Sequence, residues 1–384
     1  MAVGAPVKTA VEVTPVKGFS DLRRFVSLPF RLHAGTPWIT PLKLERYAFL
    51  SRKLNPFFKH GEAEYFLARR DGRVVGRITA QIDRSFNEFH RNRWGMFGFL
   101  EFEDNQEVLD SLLETAAHWL RQRGCECMVG PMDFQMNDEA GVLIDGFEFE
   151  PMIKQSWHPP YYAQRCEAAG LIKAMDLFHW DVLVTNRDGR MLPILPQLAE
   201  RCHTKHGIRI RKMSRLRLRR ELDEFAKVYN AAWSSNWGFV PYSKEDLDGY
   251  ALDLQLVYDR DWFMIAENDT ETVAVAISIP DINQVLKKMR GRLLPLGWWH
   301  YLNKRRIIDQ VRVGFLGVLP EYQHTGAAAA LYIEHFNMAA ATRVSHGEAG
   351  WILESNHSMN RGLEAMGGRI VKRCRVYERP LEEA

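Results

Sequence analysis

One succession of elements is written twice along this chain, and that repetition constrains its fold more than any other feature. In the first half, EYFLARRDGRVVGRITAQID holds two β-rich runs joined at Asp71-Gly72, a hairpin signal. A third strand follows at MFGFLEFED. A helix then spans VLDSLLETAAHWLRQRG, with apolar residues at three- and four-residue spacing and a stop at Gly124, and CECMVGPMDF reads as another strand. The second half repeats the order. ELDEFAKVYNAAW is helical, DWFMIAEN and TVAVAISI pair like a hairpin, VRVGFLGVL is a strand and GAAAALYIEHFNMAAATRV a helix. EAGWILES is a strand, SMNRGLEAMGG a short helix ending in glycines, and RIVKRCRVYERPL a last strand. Two copies of one α/β unit follow, repeated in element order rather than in residue identity. With 384 residues, 46% of them hydrophobic, there is material for two cores. The expected division is 1–185, a linker over 186–208, and 209–384.

Charge and cysteine usage narrow the class further. A formal net charge of +3 argues against a nucleic-acid coat, although RCHTKHGIRIRKMSRLRLRR, residues 201–220, holds nine Lys or Arg and no acid. That run reads as a solvated linker entering an edge strand, or alternatively as a docking surface for phosphate or anionic lipid. Five cysteines, Cys125, Cys127, Cys166, Cys202 and Cys374, form neither a disulfide framework nor a metal or redox motif. No His-x-x-x-His or Cys-x-x-Cys is present, so no metal site is expected. The N-terminal residues lack a signal-peptide apolar region, and no apolar run approaches the length of a membrane span. The expectation is a cytoplasmic protein, neither exported nor membrane-spanning.

The stretch that carries chemistry is VGFLGVLPEYQHTGAAAALYIEHF. A strand ends at Val318, and Gln323-x-x-Gly326-x-Ala328 occupies the turn into a helix. Small residues let the backbone approach a ligand closely, and the helix N-terminus adds partial positive charge, so the turn suits a diphosphate. It is followed by the strand EAGWILES, Asn356, and a short helix ending at Gly367. The bland alternative is a small-residue helix start used for tight packing.

This pattern resembles the signature of the GCN5-related N-acyltransferase (GNAT) superfamily, Gln/Arg-x-x-Gly-x-Gly/Ala after the fourth strand. The resemblance implies two tandem GNAT-like units, each a mixed, mostly antiparallel sheet flanked by helices. It also implies acyl-CoA as co-substrate, with main-chain groups of Gln323, His324, Thr325, Gly326, Ala327 and Ala328 on its diphosphate and Asn356 nearby. Backbone N–H groups at Gly317 and Val318 would polarise the thioester carbonyl. The sequence departs from the family at Leu363, where many members carry a tyrosine that protonates the leaving thiolate; Tyr332 and Tyr377 are the alternatives. In the first half the equivalent turn reads Glu103-Asp104-Asn105-Gln106-Glu107, acids that would repel a diphosphate, so that unit is expected not to bind CoA.

An amine acceptor reaches such a site largely protonated, so a base is sought. Glu348 and Glu354 share one strand, and a period of two puts both on one face with Gly350 and Ile352. Asp281, in Pro280-Asp281-Ile282-Asn283, is the alternative, though Asp and Asn there also serve as turn formers. Acceptor-binding candidates are Trp237 and Phe239 in NWGFVP, Asn283, and Trp298 and Trp299 within an insertion over 284–308. In KKMRGRLLPLGWWHYLNKRR cations flank an aromatic and apolar segment, which suits either an interfacial element or a loop packed on the core.

The blocks NPFFKHGEAEYFLARRDGRVVGRI, GPMDFQMNDEAG, HPPYY, NWGFVP, PDIN, GRLLP and GWILESNHSMNRGLEAMGG together resemble a bacterial tandem-GNAT family that includes the ceramide synthases. The implied reaction is transfer of a long acyl chain from acyl-CoA to a lipid amine, a sphingoid base, in a ternary complex. Contact with the cytoplasmic face of the inner membrane goes with such an acceptor, and no nucleic-acid partner is expected. Two other functions stay open: acetylation of a small amine or a protein, and non-catalytic binding of acyl-CoA or RNA.

Overall fold

In a computed structural model of the protein, residues 10–182, 192–241 and 258–381 are described. The N-terminal half opens with the edge strand β1 (Glu12–Pro15), followed by the hairpin of β2 (Gly61–Arg70) and β3 (Arg73–Asp83). Asp71 and Gly72 both take positive φ, 53° and 73°, the two-residue turn whose twist matches its flanking strands. Strand β4 (Trp94–Phe102) adds antiparallel to β3. The helix Gln106–Arg121 starts where the Asn105 side chain accepts the Val108 N–H, and it lays Leu109, Leu112, Leu113, Ala116 and Leu120 fully buried on the sheet. Strand β5 (Cys127–Gly130) returns parallel to β4, and β6 (Val142–Asp145) and β7 (Ile172–Val182) complete this half.

The C-terminal half repeats the plan. Strand β8 (Arg209–Lys212) forms the far edge, and the helix Leu218–Trp233 precedes β9 (Phe263–Glu267), β10 (Thr272–Pro280) and β11 (Gln310–Val318). The helix Ala327–Ala341, β12 (His346–Leu353), the helix His357–Ala365 and β13 (Arg369–Pro380) follow. Part of the basic run is paired within its own unit. Arg209 pairs with Asp269, Arg211 with Glu267 and Glu221, and Lys212 with Asp261. Of the expected linker, residues 186–191 lie outside the described residues. Beyond them the chain is no extended connector but a helix, Ile194–His206, whose Ala199 and Cys202 pack with Ala327, Ala330 and Leu331. All five cysteines are unpaired thiols.

The strands join one sheet in the order β1-β2-β3-β4-β5-β13-β7-β12-β11-β10-β9-β8, with β6 beside β13. The last strand of each half is exchanged. β13 lies between β5 and β7, and β7 lies between β13 and β12, so each unit's fifth strand is covered by the other unit's final strand. In each half the only parallel neighbours among the described residues, β4 with β5 and β11 with β12, stay paired over a short stretch and then diverge. The β11–β12 register runs from Gln310↔His346 to Val313↔Ala349, while the strands continue to Val318 and Leu353. That divergence opens the sheet.

Candidate functional site

The opening between β11 and β12 is a cleft. Gly314, Phe315 and Leu316 form one side and Gly350 to Leu353 the other, with Arg312 and Val313 where the strands still pair and Asn356 and Met359 beyond β12. Its remaining wall comes from Tyr229 and Trp233 on the helix Leu218–Trp233 and from the turn Asn236 to Phe239. The N-terminal unit holds that turn in place. His90 Nε2 lies 2.7 Å from the Phe239 carbonyl, the Phe89 and Phe239 rings meet edge to face at 5.4 Å, and Trp94 stands 6.1 Å from Trp237. Asn137 of the N-terminal unit reaches the cleft and donates to the Tyr229 hydroxyl at 3.3 Å. The cleft is therefore a product of both halves.

A β-bulge sits on its floor. Ile277 faces Phe315 while Ser278 faces Val313, so Gly314 has no partner on β10, and it lies one residue past the last β12 pair. The equivalent bulge occurs in β4, where Arg77 faces Glu101 and Thr79 faces Gly98. Both bulges carry the tripeptide Gly-Phe-Leu, residues 98–100 and 314–316, a residue-level repeat that reading by element order misses.

The two units use the bulge differently. In the N-terminal unit the opening is filled by the unit's own chain: Met132 N–H donates to the Phe97 carbonyl, Phe134 is fully buried, and Asp133 Oδ1 accepts the Phe99 N–H at 2.8 Å. A Cβ on Gly98 would lie 1.9 Å from the Met132 carbonyl oxygen. Burial pushes the Asp133 carboxyl up, while Arg46 and Arg77 oppose that shift. In the C-terminal unit the matching residues line the cleft. The acids of the N-terminal turn are paired, Glu103 with Arg31 and Arg73, Asp104 with Arg165, and Glu107 with Arg70.

Of the residues singled out from sequence, Trp237, Phe239 and Asn356 line the cleft. Asn356 also caps the helix His357–Ala365, accepting the Met359 N–H at 3.1 Å. Gly317 and Val318 do not line it; they pair with Val275 and Ala274, and a Cβ on Gly317 would sit 2.5 Å from the Trp233 ring. The diphosphate-type turn lies at the far end of β11, in a short 3-10 helix, Pro320–Thr325. Gln323 and His324 are exposed, Thr325 is buried with its Oγ1 donating to the Tyr322 carbonyl, and Gly326 takes φ 86°. The packing reading of the turn has support here, because a Cβ on Gly326 would come within 2.5 Å of the Leu198 carbonyl oxygen on the helix Ile194–His206. Ala327 is buried, and Ala328 is partly exposed in the first turn of the helix Ala327–Ala341.

The carboxylate candidates stand elsewhere. The expectation that Glu348 and Glu354 share a face fails, because β12 carries an extra residue: Ala349 faces Trp180 and Ile352 faces Phe178, which reverses the alternation between them. Glu348 is buried beside Lys372 Nζ (2.8 Å), His179 Nδ1 (3.2 Å) and Gln155 Nε2 (2.5 Å). Burial alone would raise its pKa; Lys372 and His179 instead hold it at about 2. Glu354 accepts from Lys173 Nζ at 2.7 Å and from the Asp176 N–H at 3.1 Å, turned toward β7. Asp281 is buried, and its Oδ1 accepts from Ile153 and Asn283 N–H groups. Burial pushes it up to about 7 against those two hydrogen bonds. None of the three lines the cleft.

Asn283 donates to the Pro151 carbonyl, and Trp298 and Trp299 stand on the surface of the insertion, also away from the cleft lining. Leu363 is buried, as are both tyrosines weighed as proton donors; burial raises each above the usual tyrosine range. Tyr332 stands behind Met359, its hydroxyl 3.4 Å from the sulfur, and Tyr377 lies in the N-terminal core. No group of three or more potential metal ligands occurs among the described residues.

A cleft opened by diverging parallel strands, with a bulge at its floor and a small-residue turn at its end, defines the class. The fold matches a tandem GNAT protein from the clavulanic acid biosynthesis pathway over 97% of this chain and 99% of that one, with a TM-score of 0.60 at 12% identity. A GCN5-related N-acetyltransferase from Sphaerobacter thermophilus matches over 97% and 96%, with a TM-score of 0.54 at 11% identity. In sequence, the chain is 35% identical over 382 residues to the bacterial ceramide synthase of Caulobacter vibrioides, covering 97% of this chain and 98% of that protein. It is 33% identical over 369 residues to protein YghO of Escherichia coli, covering 94% and 93%. No family model matches the sequence. The chain belongs to the tandem-GNAT N-acyltransferase family that includes bacterial ceramide synthase.

Proposed function

We propose that the protein transfers a long acyl chain from acyl-CoA to the amine of a sphingoid base, in a ternary complex held by the β11–β12 cleft. The observation that carries this reading is the contrast between the two Gly-Phe-Leu bulges. Where the N-terminal unit satisfies the Phe99 N–H with the Asp133 carboxyl group, the C-terminal unit presents Gly314 and Phe315 to a cleft walled by tryptophan, phenylalanine and tyrosine. Backbone donors fixed at a bulge suit the developing oxyanion of an attacked thioester, and donors of this kind commonly supply the largest catalytic contribution. This moves the carbonyl-polarising role from Gly317 and Val318 to Gly314 and Phe315.

In the reaction so read, the amine nitrogen attacks the thioester carbon, the carbon–sulfur bond breaks, and CoA leaves as a thiolate that takes a proton from water. The main chain from Gly326 to Ala328 would hold the diphosphate, with Arg201 and Lys205, near enough to lower the His206 pKa, adding positive charge. Asn356 and Met359 would contact the pantetheine arm, and Trp237 and Phe239 the acceptor. With no carboxylate among the described residues lining the cleft, the amine proton is taken to leave to water. Glu354→Gln is accordingly expected to retain turnover within about threefold, since a general base contributes on the order of a hundredfold or more. The sphingoid acceptor draws support from the bacterial ceramide synthase relative.

The deciding experiment is thiol release by the purified protein with palmitoyl-CoA or acetyl-CoA, each with and without a sphingoid base, with products identified by mass spectrometry. Amide formed from the long donor and the sphingoid base alone supports the proposal. Turnover of acetyl-CoA with water-soluble amines in place of that product would overturn it in favour of an acetyltransferase.

A further inference from the structure

We propose that the insertion between β10 and β11 is a membrane-docking element for an anionic bilayer. Residues 284–308 contain seven cations, Lys287, Lys288, Arg290, Arg292, Lys304, Arg305 and Arg306, and no aspartate or glutamate. The segment folds as three short helices, Asn283–Met289, Gly297–Leu302 and Lys304–Ile307. Its inner side is anchored: Val285, Met289 and Ile308 are buried, with Leu42 and Ile282 packed against them. Gly291, at φ 70°, lies so close to the N-terminal unit that a Cβ there would sit 2.7 Å from the Thr40 methyl. A second close approach, Gly297 on the Arg292 carbonyl, ties the loop to itself.

The outer side is apolar and uncovered. Leu294 is 72% exposed, Leu296 and Leu302 68%, Trp299 56%, Leu293 47% and Trp298 44%. The segment is thus packed on the body along its inner side and bare along its outer one. Contiguous exposed apolar surface marks an interaction site. Around it, Lys288, Arg290, Arg292, Arg305 and Arg306 are exposed, while Lys287 pairs with Glu150.

Charge selects the occupant. A second copy docked tip to tip would bring two segments of seven cations together with no acid between them. A nucleic acid would engage the cations and leave the leucines in water. An anionic bilayer answers both features, with indoles at headgroup depth, leucines below them, and about 1 kcal/mol per cation near the surface. No described helix is long and apolar enough to span, so the element lies on the membrane. The tip is also wired to the cleft. Asn283 donates to the Pro151 carbonyl, Asp281 accepts from Ile153, and the cleft residue Arg312 donates to the Ile153 carbonyl at 2.7 Å. Docking would therefore bring the acyl-transfer site close to a lipid acceptor. The docking inference goes beyond the proposed reaction and does not depend on it.

The test is co-sedimentation of the full chain with phosphatidylcholine vesicles, with and without phosphatidylglycerol, over a salt series. Binding to the phosphatidylglycerol vesicles that weakens with salt is expected. Leu294→Ser with Leu296→Ser should lower the affinity by about tenfold or more, from the lost apolar burial. Arg305→Ser with Arg306→Ser should lower it and flatten the salt dependence. Both pairs alter exposed side chains and should keep the wild-type melting temperature and turnover of a water-soluble acyl donor. The inference is overturned by failure to bind either vesicle, by binding that neither pair changes, or by a dimer in solution that the leucine pair dissociates. A protein that docks but forms no ceramide would overturn the proposed acceptor and leave docking standing.

Discussion

Glu348 shows how a carboxylate that looks catalytic in sequence can instead be structural. With Lys372 only 2% exposed beside it, Glu348→Gln would leave a buried ammonium short of its counter-charge, a change that typically costs about 3–5 kcal/mol. A fall of that size in urea-unfolding free energy at neutral pH is expected. Because the folded pKa of Glu348 is held near 2 against an ordinary 4.5, its contribution is complete above pH 4.5 and is lost as pH falls toward 2. The variant should lack that part of the acid transition. Asp281 runs the other way. Its folded pKa of about 7 lies above the ordinary 3.8, so wild-type stability should decline as pH rises from about 4 to 7 and level off above. Asp281→Asn keeps an oxygen acceptor for Ile153 and Asn283, and should flatten that decline in unfolding curves across the same range. Neither reading was open to sequence, since both depend on what a side chain is buried against.

At the scale of elements, most of the repeat was legible: the Asp71-Gly72 hairpin, the amphipathic helices and the strand leading into Gln323-x-x-Gly326-x-Ala328 all stand where periodicity and turn chemistry put them. β7 was not. Its sequence, IKAMDLFHWDV, hides a buried strand because Asp176 and His179 interrupt the apolar pattern, and both are buried only by virtue of partners on other strands, Arg375 at 2.8 Å and Glu348 at 3.2 Å. The bulges were equally silent, since an extra residue in a strand shows only against its partner. The turn at Gly326 was legible in kind but not in its packing. Gly326→Ala must place a Cβ against the Leu198 carbonyl at φ 86°, and is expected to cost about 1–3 kcal/mol. A lower melting temperature with a raised KM for the acyl donor is the expected outcome; loss of stability with an unchanged KM would make the turn a packing device alone.

For the whole molecule, the exchange of β7 and β13 means that neither half owns a complete sheet. A chain ending at Gly368 removes β13 and exposes the pairing edges of β5, β6 and β7. It should lose cooperative unfolding in the N-terminal half as well as in its own, whereas the intact chain should unfold in one transition seen alike by circular dichroism and tryptophan fluorescence. Hydrogen exchange at β5 in the truncated chain would check the first outcome directly. By itself the sequence determined most of the strands and helices, that the plan occurs twice, and that only the second copy carries a diphosphate-type turn. These are local properties, written in periods of two and 3.6 residues and in the chemistry of turns. Only the tertiary structure decided that the final strands trade places, that Asp133 fills the first unit's opening, and that Asn137 helps wall the second. Those outcomes rest on contacts between residues far apart in the chain, where apolar pattern says that a face is buried but not which partner buries it.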